Sequence, residues 1–216
     1  MTDGRLERYA RLLVWATPLW AALLFIGTLD HQPPPQTAFP DYARFTTTTM
    51  FLAGHLVASI LGAAIGSVGF VALFVILVRR GAGQSVVWAF VLFVVGNTLA
   101  TSVFGAAAFA QPAIGRMYLA GQTVQAVALQ DDIYGSPLVA TALPGVLLLS
   151  TGLVLFGIAV ARAGWAPRWA GIMLAVSGPL FAIVGVALAD VVQSVGAAGL
   201  LVSALSIALS ANRSAG

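Results

Sequence analysis

The chain of 216 residues contains no cysteine and no lysine. The first absence excludes disulfides, thiolate metal centres and a cysteine nucleophile. The second excludes a side-chain Schiff base and a Walker A lysine, since all ten cations are arginine. Charge of either sign is scarce: Asp, Glu, Lys and Arg together make up 8% of the chain, where a soluble domain carries about 25%. A soluble globule of this composition would lack the polar groups to cover its surface, and the same numbers exclude intrinsic disorder. No HExxH, GxSxG, EF-hand or P-loop pattern occurs either, which weighs against the familiar proteases and ATPases.

What the chain has instead is apolar length. Residues of hydrophobic type make up 60% of it, and mean hydropathy is +0.98. Six runs are long enough to cross a hydrocarbon layer as helices. They cover about 10–28, 50–78, 86–109, 138–160, 169–188 and 195–209. The pattern predicts an all-α polytopic membrane helix bundle, a single integral domain over 1–216 with the lipid bilayer as its surroundings. The net charge of +3 and a pI near 10.0 would suit a nucleic-acid binder. Here the arginines sit at the edges of apolar runs and form no basic stripe interleaved with aromatics, so no nucleic-acid partner is expected.

Arginine also sets the orientation. Arg5, Arg8, Arg11, Arg79, Arg80, Arg162, Arg168 and Arg213 fall on one side of the six runs, and only Arg44 and Arg116 on the other. Asp30, Asp41, Asp131, Asp132 and Asp190 divide the opposite way. Both termini are therefore expected in the cytoplasm. Tyr9, Trp88, Trp165 and Trp169 fall at the inner interface, and Tyr42, Tyr118 and Tyr134 at the outer one. The first run is long for a signal-peptide core and no small-x-small site follows it cleanly, so it reads as a retained signal anchor.

Two outer segments are substantial. The first, 30–45, holds Pro33, Pro34 and Pro35 in a row, which favours extended polyproline geometry. The second, 111–136, reads as one or two short helices on the outer surface, started by Pro112 and broken near Gly121. An internal echo accompanies them: Ser67-Val68-Gly69 through Arg79 parallels Ser150-Thr151-Gly152 through Arg162, and Trp88-Ala89 parallels Trp169-Ala170. A duplicated helical hairpin would produce this. So would the small alphabet of apolar helices.

His55 is the most informative residue for chemistry, because an ionisable group inside a span is costly and usually faces the bundle interior. His55, Ser59, Gly62, Gly66 and Gly69 follow helical spacing, and Gly62 with Gly66 makes a GxxxG seam for close helix approach. Two readings follow: a packing seam with His55 bonded to a backbone carbonyl, or a site in which His55 ligates haem, relays a proton or touches a substrate. Asn97 lies mid-span, with Thr101 and Gly105 at four-residue steps, a face that hydrogen-bonds across helices or contacts a substrate. Pro144 in the fourth run and Ser177-Gly178-Pro179 in the fifth predict kinks.

On the outer side Arg116, Tyr118, Asp131, Asp132 and Tyr134 gather in the sequence, with His31 and Asp41. A divalent cation bound by the two aspartates and a histidine is the lesser reading. Solvated carboxylates, and Arg116 paired with an aspartate, are the preferred ones. No metal site is therefore assigned, and haem b on His55 is the one cofactor left open. The absence of an intramembrane Asp or Glu argues against an ion-coupled pump.

The stretches Gly54–Gly66, Phe109-Ala110-Gln111-Pro112-Ala113-Ile114-Gly115-Arg116 and Asp131-Asp132-Ile133-Tyr134-Gly135-Ser136-Pro137-Leu138 resemble a group of uncharacterised multi-spanning proteins of bacteria. That resemblance implies a bacterial inner-membrane protein and supplies no activity. A lone histidine near the start of one span and an asparagine in the next, here His55 and Asn97, resemble styrene oxide isomerase. This likeness implies a membrane enzyme with one histidine-ligated haem. Three function classes stay open: a carrier for a small, largely apolar solute, a His55-dependent haem enzyme, and an accessory subunit that pairs with a partner membrane protein or a second copy through its glycine faces. The arginine asymmetry is tested with alkaline phosphatase fusions in bacteria: inactive after Gly216 and active within 111–136. An active fusion after Gly216 would reverse the orientation.

Overall fold

The structure is a computed structural model that describes residues 3–29, 38–185 and 190–213. His31, Asp30 and the proline triplet lie outside these residues. Six helices are long and apolar enough to cross a membrane: Gly4–Gly27, Thr49–Arg79, Ser85–Leu119, Ser136–Arg162, Arg168–Gly185 and Val191–Arg213. The chain is thus an integral multi-pass membrane protein, and its outer helix faces present Ile26, Phe109, Val139 and Leu143 to lipid.

Each span packs chiefly on the spans before and after it in sequence, and the sixth closes on the first. The result is an up-and-down ring of six helices. The end that carries Arg79, Arg80, Arg162, Arg168 and Arg213 is here termed the Arg-rich end.

The Arg-rich half of the ring is plugged by aromatic side chains. Phe70 lies 4.1 Å from Phe93, 5.2 Å from Phe156 and 5.4 Å from Trp20, centroid to centroid. These four come from four different spans and all are buried. At the same end Arg80 lies over the Trp165 ring at 4.6 Å, Arg11 pairs with Glu7, and Asn212 donates to the Arg11 carbonyl at 3.1 Å. The Asn212 contact and the cation–π pair tie together elements far apart in sequence.

Glycine sets the spacing between helices. A Cβ on Gly96 would overlap the backbone of Leu149. One on Gly69 would lie 2.5 Å from the Thr17 nitrogen, and one on Gly66 2.8 Å from the Trp20 ring. Gly62 differs. Its nearest neighbour outside its own helix, Leu23, is 3.8 Å away, ordinary contact distance. The expected four-residue seam therefore breaks at Gly62, because the helix preceding it is widened. Gly66, Gly69 and Gly96 face other spans of this chain, so these close approaches are made within one copy.

The first span is interrupted at Val14–Trp15, between helices Asp3–Leu13 and Ala16–Gly27. Pro18 has no N–H for the Val14 carbonyl. That carbonyl instead accepts from the Thr17 N–H at 3.0 Å and the Thr17 hydroxyl at 2.7 Å.

The third span, by contrast, runs ten residues past its expected end. Pro112 does not start a new helix but sits inside Ser85–Leu119. Packing overrides the proline, because the extension lies against the short helix Phe39–Thr46: Gly115 fits so closely that a Cβ there would be 2.8 Å from the Ala43 carbonyl. The break expected near Gly121 is present, with φ +89°, and helix Thr123–Ile133 follows. These two short helices cover the Arg-poor end.

Replacement of Gly96 by Ala is expected to lower the melting temperature of the detergent-solubilised protein by an amount equivalent to about 1–3 kcal/mol of overpacking. Gly62→Ala is expected to leave it nearly unchanged. Equal melting of both variants would show that the third and fourth spans are not in backbone contact.

Candidate functional site

Between the aromatic plug and the Arg-poor end, all six spans face one chamber. Its Arg-poor part has a volume of about 260 Å³, and an adjoining mid-bundle part about 210 Å³. Leu24, Ser59, Val103, Phe104, Phe181 and Gln193 line both parts. The chamber exists because inward positions at this level are small: Ala58, Ala63, Ala100, Ala107, Ala142 and Ala182 line its walls, where the plug below has Phe and Trp.

Two wide-turned helical segments border it. Gly54–Leu61 in the second span and Leu180–Gly185 in the fifth are π-helical. Such segments are rare and often mark functional sites. Each has a local cause. In the fifth span the segment follows Pro179, whose missing N–H interrupts the ladder. In the second, the His55 ring bonds through Nδ1 to the Phe51 carbonyl at 2.9 Å. That is the carbonyl which the His55 backbone N–H would take in an α-helix, and a side chain that enters the ladder deforms it. The ring also lies 4.2 Å from the Phe51 ring.

His55 lines the chamber. A carbonyl only accepts, so in the neutral imidazole Nδ1 carries the proton and Nε2 keeps its lone pair. Gln111 lines the same part, and its Oε1 is buried without a hydrogen-bond partner. The Tyr134 hydroxyl, also a chamber group, is likewise buried and unpartnered. Burial pushes the Tyr134 phenol up to about 12, an effect that Gln111 nearby reduces, so it stays a neutral O–H. Just beyond, the Tyr42 hydroxyl and the Gln130 Oε1 are 3.1 Å apart in a hydrogen bond donated by the tyrosine. Gln130 Nε2 is unpartnered, and burial raises the Tyr42 phenol still further. The other buried unpartnered side-chain atoms, on Arg11, Ser150 and Trp165, belong to residues outside the chamber lining.

Asn97 lies on the chamber floor, but its amide nitrogen is fully engaged. It donates to the Ala63 carbonyl and to Ser67 Oγ, each at 3.0 Å, which clasps the third span to the second. Thr101 is not a chamber residue. Its hydroxyl donates to the Asn97 carbonyl of its own helix at 2.6 Å.

The outer charged residues are not brought to the site. Asp131 and Asp132 are exposed. Arg116 is exposed too and makes no ion pair, contrary to the expected pairing with an aspartate. Its side chain leaves a helix that extends beyond the expected end, and it is Arg44 that pairs with Asp41, at 2.9 Å. Among the described residues no cluster of His, Asp and Glu could hold a metal ion.

Gln111 was missed as a site residue, although a signal exists. It lies two heptads after Asn97 and so on the same helical face, but only if the helix continues past Phe109. No family model, curated protein or solved structure matches the chain, so what it does has to be read from this site.

Asn97→Leu is expected to lower stability in detergent by up to about 1.7 kcal/mol, the upper range for an intramembrane hydrogen bond. Gln111→Met is expected to melt at or above wild type, because removing an unpartnered buried polar group costs little or stabilises. A large loss of stability on Gln111→Met would make it a structural residue.

Proposed function

We propose that this protein is a carrier that binds a small, largely apolar solute with one polar end in the six-span chamber. We further propose that it resides in a bacterial inner membrane with the Arg-rich end in the cytoplasm. The observation that supports this reading is the convergence of all six spans on one chamber with apolar walls and unpartnered polar groups at one end. A purely structural bundle would gain stability by filling that space and by pairing those groups. The π-helical walls are suited to a register shift, which passage of a solute would need. In the conformation described here the aromatic plug closes the Arg-rich side. An accessory role through Gly66 and Gly69 is disfavoured, because they pack on the first span of the same chain.

The haem-enzyme reading takes second place. One feature favours it: a metal-bound histidine usually donates its other ring N–H to a carbonyl or carboxylate, as His55 does to Phe51. The size of the part that His55 lines, about 260 Å³, opposes it, being below the roughly 300–1,000 Å³ of sites for drug-sized ligands. A hemin titration followed in the visible range is expected to show no histidine-ligated Soret band.

The carrier reading is tested by saturation-transfer NMR with toluene on the detergent-solubilised protein. Wild type is expected to give a signal that Val103→Trp abolishes, since the indole fills the space shared by both parts of the chamber. An equal signal from the two proteins would mean that toluene meets only the micelle, and the chamber would not be a binding site.

A further inference from the structure

The Arg-poor part of the chamber carries more information than its volume. Gln111 Oε1 and Tyr134 Oη line it, both buried and without a hydrogen bond of regular geometry, and His55 Nε2 is the third polar group on the same lining. Gln111 is only 8% exposed, so bulk water does not compensate its carboxamide. Two of the three are acceptors as they stand. Gln111 Oε1 is a carbonyl oxygen, and His55 Nε2 is left with a lone pair because Nδ1 is bonded to the Phe51 carbonyl. Tyr134 Oη can give or take one hydrogen bond. Two open acceptors in an apolar chamber favour an occupant that brings a donor.

Charge narrows the class further. No Arg, Asp or Glu is among the described residues that line either part of the chamber. A carboxylate or an ammonium entering it would lie inside the membrane with no counter-charge, which is costly. Size sets the remaining bound. An apolar cavity of about 150 Å³ suffices for benzene, so the mid-bundle part of about 210 Å³ admits one ring or an aliphatic chain of similar bulk, with the polar end in the Arg-poor part.

We propose that the solute is a neutral molecule with a single-ring-sized apolar body and a hydrogen-bond donor at its polar end, a hydroxyl or an amide N–H. The donor meets His55 Nε2 or Gln111 Oε1, the two open acceptors, and the apolar body points toward the mid-bundle part walled by Trp20, Val103, Phe104 and Val146. This rests on the chamber being a binding site, and it names which molecules the site prefers.

The test is calorimetric titration of the full chain in detergent with four probes: benzyl alcohol, benzyl methyl ether, toluene and benzoate. Benzyl alcohol is expected to bind about tenfold more tightly than the ether or toluene, one hydrogen bond to a desolvated acceptor. Benzoate is expected not to bind. At least one of His55→Leu and Gln111→Met, the one that removes the acceptor in use, is expected to reduce the advantage of the alcohol over toluene. If either variant fails to fold, the ratio of alcohol to ether in wild type decides alone. Equal affinity for alcohol, ether and toluene in wild type would overturn the donor preference while leaving the chamber as a binding site. No binding by any of the four would overturn the chamber reading itself, and with it this inference.

Discussion

Lipid provides no hydrophobic drive to bring one helix against another, so this bundle depends on how closely its backbones can approach. Gly96 lets the third span touch the backbone of the fourth, and Gly69 lets the second touch the first at Thr17. Once the ring is closed at that spacing, side-chain size decides whether its interior is full or hollow. At the level of Trp20, Phe70, Phe93 and Phe156 it is full, with edge-to-face and tilted ring contacts across four spans. At the level of Ala58, Ala100, Ala107 and Ala182 it is hollow. The chamber is thus a consequence of alanine where the plug has phenylalanine, in a ring whose diameter glycine has set.

Polar groups inside the bundle fall into two kinds. Some are answered. Asn97 clasps Ala63 and Ser67, Ser203 donates to the Ala170 carbonyl at 2.7 Å, and Ser194 donates to the Thr28 carbonyl at 3.0 Å. Each of these joins two spans and stabilises the ring. Others have unanswered atoms: Gln111 and Tyr134 in the chamber, Gln130 just beyond it, and Arg11, Ser150 and Trp165 elsewhere. Leaving a buried polar atom unpaired costs about 1–3 kcal/mol. Retaining two in one chamber, where an apolar side chain would fit, is the pattern of a binding site.

The wide-turned segment at His55 links local chemistry to that site. The imidazole takes the carbonyl its own backbone would use, the helix widens, and two consequences follow. Nε2 is left as an acceptor on a residue that lines the chamber, and the register below changes enough that Gly62 leaves the close-packed seam. The fifth span reaches a similar geometry by another route, through Pro179. Both walls that carry these segments border the same volume, so a change of register in either would reshape it.

Much of the fold was legible from the chain because span formation is a local property. Twenty or so apolar residues must satisfy their own backbone in lipid, and a helix is the solution available to a single segment. Hence the six spans, the break at Gly121 and the interhelical role of Asn97 follow from composition and spacing. What neighbours decide was not legible. Pro112 reads as a helix start until Phe39–Thr46 packs on the far side of it, and with that the inward position of Gln111 stays hidden. Arg116 reads as a partner for Asp131 or Asp132 until the longer helix carries it into solvent. Gly62 reads as part of a seam until the His55 ring widens the turn before it. The sequence determined which segments cross the membrane, because each must satisfy its own backbone. Only the tertiary structure decided which side chains meet at the chamber, because that depends on the spacing and register of helices far apart in the chain.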